Sequence, residues 1–286
     1  MQRIFLILLL QVFTIGAFAE DGWPKPKNGG YFKLGQWWLI GTEHFTDQGL
    51  IDPNVTNGIY FTNVYGEYGV TDRLTAVVYF PFFARTLFNN TVSGTTGEIL
   101  EAGEAVNSIG DIDLGIRYGL VQKGSFALSA GLTLGIPSGR TGGGSDGALQ
   151  TGDGEFNQLV TLEAGQGLSF GKVNGFTKAH IGFNNRTQGF SDEFRFGIEA
   201  GATIFNEKVT LIARLFGIES FQNGVLPSQS TGTSIFANNT EHLTFGPEVA
   251  YHFNKNFGLS AGLAKPLSGR LIYSNTAYNV GVFYQW

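Results

Sequence analysis

Apolar residues occupy every second position through long stretches of this chain. Between residues 111 and 120, Ile112, Leu114, Ile116, Tyr118 and Leu120 alternate with Asp, Gly and Arg. A period of two places alternate side chains on opposite faces of a β-strand. The chain ends on the same pattern, with apolar side chains at positions 278, 280, 282, 284 and 286. These patterns predict strands that have one apolar face.

The predicted strands come in pairs. Two alternating runs are joined by a short turn, such as Thr71-Asp72, and a long polar loop precedes the next pair. The strands are predicted at about residues 31–45, 58–70, 73–88, 109–121, 125–136, 155–169, 172–184, 192–205, 209–221, 241–253, 257–265 and 276–286. This gives about twelve strands, and ten or fourteen stay open because each period-two signal is weak.

The regular alternation of short turns and long loops predicts the fold class. It is typical of an all-β, transmembrane, antiparallel up-and-down β-barrel with short periplasmic turns and long extracellular loops. A soluble β-sandwich would also show alternating strands. The barrel is favoured because aromatic residues recur at strand ends on the apolar face, as in the girdles of membrane barrels. These residues are Tyr68, Phe126, Phe194, Tyr251, Phe253, Phe257, Tyr284 and Trp286. All are predicted near the periplasmic rim except Phe194, which is predicted near the outer rim.

The first residues have the form of a secretory signal peptide. Arg3 precedes an apolar run, and Ala17-Phe18-Ala19 has the small-x-small form of a cleavage site. Residues 1–19 are therefore predicted to be removed, which leaves 20–286 as a single outer-membrane β-barrel domain. The alternative, a membrane-anchoring helix, is disfavoured because the run is short and no stop-transfer charges follow it. Whether residues 20–30 enter the barrel is open from the sequence.

Composition narrows the partners. There is no Cys, so neither disulfides nor thiolate metal sites are expected. The formal charge of −5 becomes −6 when Arg3 leaves with the leader, and this mild acidity argues against a nucleic-acid partner. No stretch after the leader has the length of a membrane-spanning helix, so a chain that spans the bilayer would have to form a closed barrel.

The last strand resembles the C-terminal signal by which bacterial outer-membrane barrels are recognised for assembly. The matching residues are Asn279, Gly281, Tyr284 and Trp286. The resemblance implies the barrel-assembly machinery and outer-membrane lipid as partners.

Several short segments resemble the outer-membrane β-barrel family labelled MetA-pathway of phenol degradation, whose members are described as transporters. The segments are Gly30–Gly35, Tyr68–Leu74, Gly110–Gly115, Gly135–Gly139, Thr151–Gly154 and Gly246-Pro247. The resemblance implies a barrel linked to the catabolism of aromatic compounds. It brings no binding residues with it.

Charged residues fall in the phase opposite to the apolar one, which predicts that they face the lumen. These candidates for solute selectivity are Glu67, Asp111, Asp113, Arg117, Glu163, Lys178, Arg195, Glu199, Arg214 and Glu248. Opposed rows of charge could set a transverse field that selects polar solutes. The same groups could instead form ion pairs that fill a narrow barrel. A barrel of this size fits both a constricted pore and a plugged lumen.

Other chemistry is weakly indicated. The run from Gly142 to Gly147, with Asp146, is one imperfect copy of a repeated calcium motif and is predicted to be a flexible loop. No cofactor, metal or catalytic residue is therefore assigned. For a lipid-modifying enzyme, His44 and His242 near the outer rim would be the only candidate bases, and neither lies in a recognisable nucleophile motif.

The sequence thus predicts an outer-membrane protein with both termini in the periplasm. The expected function is passive passage of small organic, for instance aromatic, solutes. The alternatives are a non-conducting structural or adhesive barrel whose loops bind partners and, as the least favoured, a lipid-modifying enzyme.

Overall fold

The computed structural model describes residues 22–53, 56–171, 173–227 and 234–286. The predicted signal peptide, residues 1–19, lies outside these residues. Within them, no helix is long and apolar enough to cross a membrane.

Twelve antiparallel strands form one closed barrel, which confirms the predicted fold class. They are β1 (Gly30–Gly41), β2 (Asn57–Gly69), β3 (Leu74–Phe88), β4 (Ile112–Lys123), β5 (Phe126–Ile136), β6 (Asn157–Phe170), β7 (Val173–Asn185), β8 (Glu193–Ile204), β9 (Val209–Ser220), β10 (Glu241–His252), β11 (Phe257–Arg270) and β12 (Ala277–Gln285). Each strand pairs with the next along the chain, and β12 pairs with β1 from Tyr31↔Gln285 to Leu39↔Ala277. The sheet therefore has no free edge along its length in the membrane.

Two predicted strand ends differ from the structure by four residues or more, and the other boundaries differ by at most three. The first strand ends at Gly41 instead of Phe45, because His44–Phe45 pairs with Ile51–Asp52 in a separate small hairpin. β11 continues past Lys265 to Arg270 and stays paired with β10. Pro266 had indicated a loop. In the structure Pro266 pairs with β10 next to a register shift in that strand, and the pairing of β11 with β12 ends before Pro266. A proline without an N–H is tolerated at such an irregular, half-paired position.

The outer face of the barrel is apolar. Leu114 and Ile116 on β4 leave about half of their surface exposed, at 49% and 51%. Aromatic rings stack at the end where the turns lie, with Tyr284 5.4 Å from Trp286 and 4.6 Å from Phe257. Such a belt on a continuous apolar face is typical of a barrel solvated by lipid, and the predicted facing is confirmed.

The two ends of the barrel differ. Five short turns close one end, and the long loops extend from the other. Two of these loops fold inward. Leu149, in the β5–β6 loop, is fully buried, and Phe236, in the β9–β10 loop, packs edge-on against Phe61 on the inner wall at 6.5 Å. Both loops therefore place side chains inside the loop end of the barrel.

The outward position of Leu114 can be tested by replacing it with Asp. The variant should insert into bilayers less well than the wild type, because a carboxylate at that position would have to enter hydrocarbon. Leu114→Val keeps the face apolar and is the matched control. The yield of heat-modifiable, folded barrel in liposomes measures the effect. Equal yields for the two variants would contradict the assigned facing.

Candidate functional site

The N-terminal segment, residues 22–28, lies against the inner wall at the turn end. Ser129 Oγ on β5 donates to the Gly22 carbonyl at 2.7 Å, and the Lys25 N–H donates to Thr75 Oγ1 on β3 at 2.8 Å. The ring of Trp23 lies on Gly165 of β6, where an added Cβ would come within 2.6 Å of it. Glycine is required there because the segment approaches the wall so closely. The segment therefore enters the lumen, a point that the sequence left open.

One chain of ion pairs starts from this segment. Lys25 Nζ lies 3.0 Å from Glu67 on β2, and Glu67 also contacts Arg117 on β4 at 3.1 Å. Arg117 continues to Glu163 on β6, where Nε and Oε2 are 2.7 Å apart. Tyr65 donates a further hydrogen bond to Glu67 at 2.6 Å. The guanidinium of Arg117 thus spans from β2 to β6 and holds two carboxylates on strands that are not neighbours.

A second chain of ion pairs covers the opposite wall. Lys178 on β7 lies 2.9 Å from Glu199 on β8, and Glu199 lies 2.6 Å from Arg214 on β9. Arg214 contacts Glu248 on β10 at 2.5 Å, and Lys33 on β1 reaches Glu248 at 3.3 Å. Lys33 reaches that far because β12 carries a glycine, Gly281, beneath its side chain.

Charges of opposite sign therefore alternate around the inner wall. The two chains, which we call the ion-pair belts, contain five cations and four carboxylates, which leaves a net charge of +1. Buried carboxylates of this kind are tolerated when cations satisfy them. The sequence left open whether these residues form opposed rows of charge or ion pairs within a narrow barrel, and the contacts of the described residues are ion pairs along the wall.

A third cluster lies at the loop end and was not predicted. Arg186, in the β7–β8 loop, contacts Asp153 at 2.9 Å, Glu155 at 2.8 Å and Glu193 at 2.8 Å. Burial raises the pKa of the Asp153 carboxyl, although the adjacent Arg186 opposes the rise. These contacts join the β5–β6 loop to β8. They connect residues that are far apart in the sequence, so the alternation of apolar and polar residues could not predict them.

Two partly open chambers lie along the inner wall among the described residues. The larger has a volume of about 550 Å³, and the smaller has a volume of about 270 Å³. Phe61, Tyr65 and Tyr79 line both. The ten predicted lumen residues divide evenly between them. The larger chamber holds Glu67, Lys178, Glu199, Arg214 and Glu248; the smaller holds Asp111, Asp113, Arg117, Glu163 and Arg195.

Comparison with known proteins bears on the fold. No family model and no curated protein matches this sequence. The structure is similar to the COG4313 outer membrane channel from Pseudomonas putida F1, with a TM-score of 0.59 and 16% identity over 95% of this chain and 100% of that one. It is also similar to the β domain of the Bordetella autotransporter BrkA, with a TM-score of 0.51 and 13% identity over 91% of this chain and 100% of that one.

This chain has the outer-membrane β-barrel fold. The similarities at this level of identity concern the fold alone, and they give no support to the phenol-degradation label. Within that fold, β12 presents Tyr284 and Trp286 on the side of the aromatic belt, while Asn279 and Gly281 face inward. Their role as an assembly signal stays a prediction.

The two histidines considered for lipid chemistry have other surroundings in this outer-membrane barrel. His242 is buried on the inner wall, where Nδ1 lies 3.0 Å from Thr244 Oγ1 and the ring packs edge-on against Phe216. His44 lies in the small hairpin beyond β1 and bridges to Tyr273. The described residues contain no group of three or more His, Asp or Glu side chains placed to hold a metal ion.

Arg117 should contribute strongly to the stability of the barrel. Arg117→Leu would leave Glu67 and Glu163 without their shared cation, which we expect to lower the free energy of unfolding by about 3–5 kcal/mol. Arg73→Leu, at an exposed turn, is the matched control and should change it by less than about 0.5 kcal/mol. Denaturant titration in lipid measures both. Similar free energies of unfolding for the two variants would show that the ion pairs of Arg117 contribute little to stability.

Proposed function

We propose that this chain is an outer-membrane channel that lets small organic solutes cross passively. The observation that carries the proposal is a closed barrel with a lipid-compatible outer face and a charged, chambered inner wall. Barrels that hold a water-filled channel have a polar interior of this kind. The sequence has no nucleotide-binding motif, so transport would be down a gradient or coupled elsewhere.

The orientation follows from the loops. Bacterial barrels place short turns in the periplasm and long loops outside. With twelve strands, both termini of the barrel lie at the turn end, so we place both in the periplasm. Asn279, Gly281, Tyr284 and Trp286 would then reach the assembly machinery from the periplasmic side.

The lining of the larger chamber favours small solutes with an aromatic or polar body. Its wall combines the second chain of ion pairs, and Lys25 and Glu67 of the first, with aromatic rings that include Trp37, Phe176 and Phe216. Aromatic rings offer stacking and edge contacts to an aromatic solute, while alternating charges offer hydrogen bonds to its polar groups. The paired charges restrict the cross-section and keep the wall polar.

A plugged barrel is the second candidate. It is favoured by the N-terminal segment inside the lumen and by Phe236 at the mouth. In that case the long loops would be the functional surface and the lumen would serve stability alone.

Conductance separates these two candidates. The purified barrel in planar bilayers should show small, discrete openings, and deletion of residues 22–28 should enlarge them because the segment occupies the turn end of the lumen. Heat-modifiable mobility of the variant serves as the control for folding. If neither folded form conducts ions or admits solutes in liposome swelling, the channel proposal fails.

Ion selectivity should follow the charge of the belts. Arg214→Gln removes a cation from the wall and should shift the reversal potential in a salt gradient toward cation preference. Glu248→Gln removes a carboxylate on the neighbouring strand and should shift it the opposite way. Arg73→Gln, outside the lumen, should leave it unchanged. Shifts of the same sign for Arg214→Gln and Glu248→Gln would rule out electrostatic control by the belts.

A further inference from the structure

The smaller chamber has the dimensions and walls of a ligand site. At about 270 Å³ it falls near the lower end of small-molecule pockets, which begin at roughly 300 Å³. Aromatic side chains from β2, β3 and the β9–β10 loop form part of its wall: Phe61, Tyr65, Tyr79 and Phe236. The charged groups of the wall come from Asp111, Asp113, Arg117, Asp153, Glu163 and Arg195. An aromatic body with one charged group would match this division.

The charge of this chamber is negative, unlike that of the larger one. Four carboxylates line it, from Asp111, Asp113, Asp153 and Glu163, against the two guanidinium groups of Arg117 and Arg195. Both guanidinium groups are already engaged. Arg117 is held by Glu163 and Glu67, and Arg195 donates two hydrogen bonds to Glu193 at 3.0 and 2.7 Å. The chamber thus has carboxylate charge that its own cations do not neutralise.

Asp113 is the carboxylate that is left over. It lies on β4 opposite Tyr79 of β3 and lines the chamber. Among the described residues it makes no ion pair, whereas Glu163 contacts Arg117 and Asp153 contacts Arg186. Asp111, two residues before Asp113, accepts hydrogen bonds from the backbone N–H groups of Gly139 and Asp153 at 2.8 and 3.1 Å. Asp113 is partly exposed at the chamber wall, so its carboxylate is open to a hydrogen-bond donor or a positive charge that enters the chamber.

Asn184 supplies an independent observation. Its side chain lines the chamber and is completely buried, and its amide nitrogen donates to Asn157 Oδ1 at 2.6 Å and to Glu193 Oε2 at 3.1 Å. Because the Glu193 carboxylate only accepts, the amide orientation is fixed. The Asn184 oxygen then receives no hydrogen bond. It is a buried acceptor that lacks a donor within the described part of the protein.

We propose that the smaller chamber binds a small organic cation, namely a primary ammonium group on an aromatic body. An ammonium carries three N–H donors and no acceptor, which complements the Asp113 carboxylate and the Asn184 oxygen. The surrounding rings favour a cation through their π faces. A metal ion fits less well, since the described residues contain no set of three metal-ligating side chains. The inference concerns binding, and it rests on the proposed channel only for the route by which the ligand enters.

The test is calorimetric titration of the folded barrel in detergent with 2-phenylethylammonium. The matched neutral probe is 2-phenylethanol, and calcium chloride is the metal probe. The cation should bind at least tenfold more tightly than the alcohol. Asp113→Asn should weaken cation binding about tenfold or more, because it removes a charge-assisted hydrogen bond. Asp146→Asn, an exposed carboxylate on the β5–β6 loop, is the control and should not change the affinity.

Several results would overturn the assignment. These are equal binding of the alcohol and the cation, undiminished binding by Asp113→Asn, binding of calcium without binding of the ammonium, and no heat with any probe. Conductance of the same preparation is recorded in parallel. A conducting barrel that binds no ammonium removes this inference and leaves the channel intact. A barrel that binds ammonium but neither conducts nor admits solutes keeps the site and removes the channel.

Discussion

The structure depends on one requirement, that backbone N–H and C=O groups in hydrocarbon find partners within the protein. A sheet meets this requirement only when it closes, and here closure is the pairing of β12 with β1 from Tyr31↔Gln285 to Leu39↔Ala277. Once the barrel is closed, side chains along each strand point alternately to the lipid and to the lumen. Leu114 then faces outward and its neighbour Asp113 faces inward, and the chemistry of the interior follows from that division.

Ionised groups confined in a narrow interior impose the next constraint. A carboxylate withdrawn from water needs compensation close at hand, and the alternating belts provide it from strand to strand. Glu199 lies between Lys178 and Arg214, and Glu248 lies between Arg214 and Lys33. Gly281 completes the arrangement by leaving space for the side chain of Lys33. The inner wall is thus both a structural network and the surface that a solute would touch.

This alternation of side chains explains why so much of the fold could be predicted from the sequence. A strand with one face in lipid and the other in the lumen shows its orientation in every second residue, so the strand number and the inward position of residues such as Arg117 could be predicted. Prediction failed where contacts do not repeat along the chain. The position of residues 22–28, the contacts of Arg186 with Asp153 and the inward fold of Phe236 connect distant segments. The unpaired Asp113 could not be recognised either, since pairing depends on which neighbours reach it in space.

Trp286, which follows β12, also contacts the N-terminal segment and the start of β1. Trp286 exchanges backbone hydrogen bonds with Gly30, and its indole N–H donates to the Asn28 carbonyl at 2.8 Å. During synthesis these partners are separated by nearly the whole chain, and they meet only when β12 docks on β1. This contact of the N-terminal segment therefore forms only when the barrel closes, whereas its contacts with Thr75 and Ser129 need only β3 and β5. An incomplete barrel would lack this restraint at its turn end.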